Sequence, residues 1–381
     1  MGRVETFPQA GPGTRSRQLH LDRLKVVLTT GVIVAHAAMS YGAAGTWIYE
    51  EDSLSGPVAT ALSVLVGGGV MFVLGLFFLM AGLLTSGPLH RRGPRRFLAS
   101  RVWRLGVPVV AYALVVWPML QWWIDEVRGD APSLWTFYRR EFSGENWTSR
   151  GTGPMWFVEI LLVATVGWCM WRWRVPAGEP KMSPRAAVLL AAGLVAVATF
   201  LVRTRFGVDS AQFLDAHVWL WPQSFTLFVL GAVAAEQGWF SPVPRPVLRL
   251  CRWGVVGAAL LLTSAVFLSD GPEEFKGGWH WEAACLAVCE GAISVGVSVP
   301  VLDWSRRHVV RQGELERRLA GAAYGAFVAQ GPVLVALALA LRPLDVAGDG
   351  KVLVLAVLGV LVSFAIGALV ESSRRGTGSR R

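Results

Sequence analysis

VATALSVLVGGGVMFVLGLFFLMAGLLTS, residues 58–86, carries no charged side chain anywhere along its length. The apolar core of a bilayer is about 30 Å thick and takes about 20 such residues as a helix, so this run predicts a transmembrane segment with length to spare. Its surplus, together with the triplet Gly67-Gly68-Gly69, predicts a helix that is tilted or broken near its middle. Working outward, further apolar stretches lie at roughly 24–42, 102–124, 154–173, 186–203, 218–238, 253–269, 282–301, 319–341 and 352–371. The expected fold class is all-α, a polytopic integral membrane protein of about ten transmembrane helices. Composition agrees. Only 16% of the 381 residues are charged, against about 25% in soluble domains. The 18 tryptophans suit a chain that crosses two bilayer interfaces many times.

The loops alternate in charge. Arg91, Arg92, Arg95, Arg96 and Arg101 follow the second span, Arg172, Arg174, Lys181 and Arg185 the fourth, Arg245, Arg249 and Arg252 the sixth, and Arg306, Arg307, Arg311, Arg317 and Arg318 the eighth. With both termini, about three-quarters of all Lys and Arg fall on one side, which the positive-inside rule assigns to the cytoplasm. An even number of spans then puts both termini in the cytoplasm, and the expected location is the cell membrane. The opposite loops hold acids, among them Glu50, Glu51, Asp52, Asp125, Glu126, Asp130, Glu141 and Glu145. The formal charge of +10 is thus explained by topology, and its spread over short loops argues against nucleic acid as a partner. Residues 1–18 read as a disordered tail, 19–371 as the transmembrane domain and 372–381 as a basic cytoplasmic tail. The first apolar stretch follows no small-residue cleavage site and reads as a retained helix. Cys169, Cys251, Cys285 and Cys289 all sit in or beside apolar segments, so neither a disulfide framework nor a metal site is expected.

Chemistry concentrates in the first helix, LDRLKVVLTTGVIVAHAAMSY, residues 21–41. His36 is an ionisable residue in an apolar run, and such a residue marks a functional site by default. Lys25 precedes it by eleven residues, almost three whole turns, so both share a face with ~16 Å of rise between them. Asp22 is placed to pair with Lys25. Structural roles are open too: a snorkelling lysine, and a histidine hydrogen-bonded between helices. Arg101 and Arg104 lie three apart at a helix start. The fourth span carries Glu159 near its external end, either orienting His36 or contacting an acceptor, or serving as an N-terminal helix charge. Glu290, in the eighth span, poses the same choice. His217 and His280 read as interfacial. The external loop at roughly 125–153 carries Trp135, Phe137, Tyr138 and Trp147, which suit either a lid over a site or a segment lying on the bilayer.

A basic residue, ten intervening residues and a histidine after Leu-Asp-x-Leu resembles the opening of the membrane-bound acyltransferase 3 family of O-acyltransferases. The likeness continues through FFLMAGLLTSGPLHRRGPRRFLASRVWRLGVP (77–108), with its Arg-x-x-Arg at Arg101 and Arg104. It extends through GPMWFVEILL (153–162) and WPQSFTLFVLGAVAAEQGW (221–239), and covers about residues 19–370. One departure stands out: AYGAFVAQGPV (323–333) places Gln330 where relatives often carry a histidine.

The resemblance implies transfer of an acyl group, commonly acetyl from acetyl-CoA, to a hydroxyl of a sugar, glycan or other small acceptor. No permanently bound cofactor is implied; acyl-CoA is a co-substrate, and the bilayer and a hydroxyl-bearing acceptor are the other partners. His36 is then the general base, or alternatively carries the acyl group transiently, with Glu159 as second catalytic candidate. Lys25, Arg95, Arg96, Arg101 and Arg104 are expected to hold the phosphates of CoA, since guanidinium groups grip phosphate through paired hydrogen bonds. Trp156 and Tyr41 are assigned to the acceptor. Two other readings compete: a secondary transporter using His36, Glu159 and Glu290, and a degenerate non-catalytic relative.

Overall fold

The protein, seen in a computed structural model, is described over residues 12–51, 53–143, 151–175, 182–208, 210, 216–240, 242–309, 311 and 313–378, the side chains of 12–18 and 374–378 excepted. Arg3, Glu145, Trp147 and Lys181 and the extreme ends of the two tails lie outside these residues. The helices are α1 Pro12–Met39, α2 Gly56–Leu83, α3 Ser86–Arg92, α4 Pro94–Arg128, α5 Leu134–Phe142, α6 Trp156–Arg174, α7 Pro184–Arg203, α8 Trp221–Gln237, α9 Arg245–Leu268, α10 Trp281–His308, α11 Glu314–Leu341 and α12 Gly348–Gly378. No strand occurs among the described residues. Helix α1 begins inside the segment expected to be a disordered tail, and α12 continues into the other tail.

Nine stretches of the described chain are long and apolar enough to cross a membrane. Helix α1 is not one of them because Asp22, Arg23 and Lys25 fall within the eighteen residues that end at Met39. It nevertheless packs against α2, α10, α11 and α12, and with it the bundle has the ten helices expected. Two details depart from the sequence reading. Helix α2 is unbroken through Gly67–Gly69, whose Cα atoms face open space or a valine methyl and make no close helix contact. Helix α4 is interrupted instead. Val102–Gly106 and Tyr112–Val116 are π-helical turns, each ending just before a Val-Pro or Trp-Pro pair at Pro108 and Pro118. A proline has no N–H to give and its ring collides with the carbonyl four residues back, so the preceding turn widens.

Two apolar cores form. One gathers α2, α6, α7, α8 and α10 around Leu76, Phe78, Leu79, Val195, Leu227 and Phe228. The other gathers α1, α4, α11 and α12 around Ile33, Ala37, Tyr112, Ala326, Leu334 and Leu355. Phe157 and Leu161 of α6 pack against both. Helices α2 and α8 touch backbone to backbone, because a Cβ on Gly82 would meet the Phe228 carbonyl and one on Gly231 the Leu79 carbonyl. Close approach through small residues is how helices associate where lipid removes the hydrophobic drive.

Ion pairs tie helix ends on opposite faces of the bundle. On the face where α1 starts, Arg23 pairs with Glu316 of α11. On the other, Lys351 Nζ of α12 lies 3.0 Å from Glu51 Oε1 in the α1–α2 loop, and the Tyr49 hydroxyl donates to Glu51 Oε2 at 2.8 Å. Burial disfavours the Glu51 carboxylate, but the hydrogen bonds from Lys351 and Tyr49 and the charge of nearby Arg342 outweigh it and hold its pKa below the ordinary value. The same neighbourhood pushes the Tyr49 phenol up to about 12, burial first and the bond to Glu51 second.

Gly231→Val should lower thermal stability in nanodiscs by about 1–3 kcal/mol through overpacking, while Gly68→Ala, with nothing within 4 Å of its Cβ, should not lower it. Because Glu51 is depressed in the folded state, its stabilisation is complete above its unfolded value of about 4.3 and is lost as pH falls through the folded value. The melting temperature of the wild type should therefore drop on acidification below that value, and Glu51→Gln should remove part of the drop.

Candidate functional site

The α1 helix delivers His36 one turn before its end at Met39, so the ring emerges where the helix gives way to the loop of residues 40–55. Its Nδ1 lies 3.1 Å from Gln330 Oε1 of α11. Gln330 is fully buried, and when its carbonyl oxygen accepts from the ring, Nδ1 carries the proton. Nε2, the ring nitrogen that carries the lone pair in this tautomer, has no protein partner among the described residues. Eleven residues along the chain, Trp47 folds back over the ring, centroid to centroid 4.1 Å with 19° between planes. Trp117 meets Trp47 edge-on at 6.1 Å. Tyr112, on one π-helical turn of α4, packs beside Trp117, and Gly331 leaves room for its hydroxyl.

His36, Trp47 and Trp117 form the floor of a cavity of about 460 Å³. One wall is a stripe of α4: Trp117, Gln121, Asp125 and Arg128. Their spacings of four, four and three residues keep them on one helix face. Facing them are Phe137 and Glu141 of α5, and the stacked pair Trp156 and His217, 4.6 Å apart. The Gln121 amide oxygen is buried without a hydrogen-bond partner among the described residues. The cavity lies between the ends of α1, α4 and α6 on the acid-rich face, and helix α5, from the external loop expected to be a lid or an interfacial segment, covers part of it.

Of the residues singled out from the sequence, His36 and Trp156 line this cavity. Glu159 does not; it lies one turn further along α6, half-buried. Nor does Tyr41, which is completely buried in the core beside the Glu51 and Tyr49 side chains because the chain turns inward directly after α1. Lys25 is paired with Asp22 at 2.7 Å, about three turns of helix from His36, as its spacing requires. Arg95, Arg96 and Arg104 are exposed; Arg95 sits over Trp173 at 5.6 Å, and Arg101 is half-buried over Phe97 at 5.2 Å. Arg104 lies within the π-helical turn Val102–Gly106 that directly follows Arg101. Glu290 lies outside the site in a buried ion pair with Arg203, 2.5 Å apart.

Sequence reasoning missed Trp47, Gln121 and the role of Gln330, and took His217 for an interfacial residue. A periodic pattern had nothing to say about Trp47, which lies in an irregular loop. His217 did carry one signal detectable only in three dimensions, a left-handed backbone with φ of 45°, the kind of conformation that clusters at functional sites.

Residues 19–371 match the model of a family described as an acyltransferase domain. No curated protein and no solved structure gives a match to the chain. The matched region includes every helix that frames the cavity, the histidine at its floor and the basic residues of the opposite face. The chain therefore belongs to the acyltransferase 3 family and is a multi-pass membrane acyltransferase that moves acyl groups other than aminoacyl groups.

Proposed function

We propose that the protein is an O-acyltransferase that takes an acetyl group from acetyl-CoA and places it on a hydroxyl of a sugar, glycan or similar acceptor in the cavity above His36. The observation that carries this reading is the state of the imidazole: Nδ1 is engaged by the Gln330 oxygen while the ring itself lines the cavity. A histidine held in that tautomer presents Nε2 as a base. In the step proposed, Nε2 takes the proton of the acceptor hydroxyl as its oxygen attacks the thioester carbonyl. The new C–O ester bond forms, the C–S bond breaks, and the proton passes on to the departing thiolate to give CoA thiol. Trp47 faces the ring as it becomes cationic, and an indole face stabilises such a charge. Indole and phenyl walls with a few amide and carboxyl groups suit a polyhydroxyl ring, whose faces are apolar and whose edges carry hydrogen-bond donors.

The phosphates of CoA suit the basic face, assigned to the cytoplasm by the loop charges. Lys25 and Arg101 are the groups we assign to them, with Arg95, Arg96 and Arg104 adding positive potential at the rim. The ~16 Å rise from Lys25 to His36 is the distance the extended pantetheine arm has to cover. This arrangement lets donor and acceptor enter from opposite faces and meet at one ring.

In nanodiscs, His36→Ala should abolish slow CoA-thiol release from acetyl-CoA, and Gln330→Leu should lower its rate by about 10²-fold, the scale of a general base held wrongly, with acetyl-CoA affinity unchanged. A folded wild type that binds no acetyl-CoA and releases no thiol would overturn the acetyl-CoA reading. Lys25→Met should weaken acetyl-CoA binding by about tenfold in a direct binding measurement, on the scale of one charge-assisted phosphate contact; an unchanged dissociation constant would remove Lys25 from the donor site.

A further inference from the structure

The acids of the first external loop entered the sequence reading only as markers of topology. In the folded chain two of them, with α12, decide where Trp47 sits. Residues 42–50 contain no helix or strand, so nothing in their own secondary structure holds the indole against His36. The loop is fixed from outside. Glu51 Oε1 meets Lys351 Nζ at 3.0 Å, and the same ammonium reaches the Arg342 carbonyl at 3.4 Å. Lys351 has only 7% of its side chain exposed, so its charge depends on these oxygens. Four residues on, Ser55 gives both its backbone N–H and its hydroxyl to the two carboxylate oxygens of Asp349, at 3.0 and 2.7 Å. Gly348 lies so close to Ser53 that a Cβ there would meet the Ser53 carbonyl. The first turn of α12 is therefore seated on the loop.

From this anchor the contacts run back to the catalytic ring. The Glu51 amide donates to the Ser40 carbonyl at 2.9 Å, pulling the loop end onto the end of α1. The neighbouring Glu50 accepts from the Trp47 amide at 3.3 Å through Oε1, and its carbonyl receives Arg128 of the cavity wall at 3.5 Å. Trp47 is left with its ring flat on His36. A stacked indole restricts rotation of the imidazole and shields one face of it, so orientation of the base depends on a loop that the last helix helps to fix.

We propose that Lys351 and Glu51 are positioning residues: their ion pair latches the α1–α2 loop to α12 and so holds Trp47 against His36 in the geometry used for acyl transfer. The consequence for transfer rests on the O-acyltransferase reading above; the latch itself does not.

The test uses the full chain in nanodiscs and two readouts. The first is the rate at which diethyl pyrocarbonate modifies His36, followed by peptide mass spectrometry. Lys351→Met and Glu51→Gln should each raise that rate about tenfold as the indole leaves the ring, and the exchanged pair Glu51→Lys with Lys351→Glu should return it toward the wild-type value. Trp47→Ala sets the ceiling, and Trp47→Ala with Lys351→Met should be no faster than Trp47→Ala alone, because groups acting through one contact are not additive. The second readout is thiol release from acetyl-CoA, where Lys351→Met should lower kcat about tenfold with KM for acetyl-CoA little changed, the pattern of lost orientation. An unaltered His36 modification rate in Lys351→Met, or losses in Lys351→Met and Trp47→Ala that multiply, would overturn the latch. If the modification rates behave as expected and the wild type releases no thiol, the latch stands and the acetyl-transfer reading falls.

Discussion

An imidazole inside an apolar bundle is unfavourable unless its polar atoms find partners, and the packing around His36 is arranged to meet that demand on one side only. Gln330, from a helix 294 residues away in sequence, satisfies Nδ1 at 3.1 Å. Nothing from the protein satisfies Nε2 among the described residues. The contact joins the first helix to α11 at the depth where the cavity floor forms, so the helix pairing that closes the second apolar core also sets the chemistry of the ring. Gly331, next to Gln330, extends the arrangement by admitting the Tyr112 hydroxyl, which places Tyr112 beside Trp117 and Trp117 beside Trp47. One helix register thus sets His36, the amide beside it and the Trp47–Trp117 floor of the cavity.

The polar groups of the interior are handled in the same way. Arg203 and Glu290, both nearly inaccessible, lie 2.5 Å apart with the guanidinium 5.4 Å above the Trp219 ring. A charge left alone there would be costly, and paired it becomes a fixed strut. Trp219 in turn lies 6.3 Å from His217, which stacks on Trp156 in the cavity wall. The intramembrane carboxylate that invited a transport reading is therefore part of the frame on which the cavity wall rests. The π-helical turns of α4 add a second kind of adjustment. By widening before Pro108 and Pro118 they keep the backbone bonded within the membrane, and the second leads directly into Trp117 at the cavity floor.

The separation of the basic face from the cavity follows from charge. Arginines that fix orientation gather where α3 ends and α4 begins, and most of them stay exposed. The acids collect at the other end, where Glu51, Asp349 and Asp125 serve as anchors and lining. Charge of opposite sign is thereby kept at opposite ends of the first helix, with His36 at the acid-rich end beside the cavity.

Much of this was legible before any folding. Apolar runs of about 20 residues can do little in a bilayer but form helices, so the spans, the alternation of loop charge and the isolation of His36 eleven residues beyond Lys25 follow from local composition and helical period. Of the two alternatives for the middle of α2, a break does not occur: three glycines weaken a helix in water, whereas lipid offers their backbone no alternative partner. The burial of Tyr41 away from the cavity was not legible, because which way a chain turns after a helix ends is set by what it packs against. Gln330 was visible only as a departure from its relatives' histidine; that it touches His36 is a fact about two helices distant in sequence. The same holds for Trp47 on the ring, His217 on Trp156 and Lys351 on Glu51. The sequence by itself determined that this chain is a helical membrane bundle with a histidine in the apolar stretch of its first helix and most of its positive charge on one face. Only the tertiary structure decided which groups hold that ring and shape the cavity above it, because those contacts depend on the register of packed helices, which no local pattern encodes.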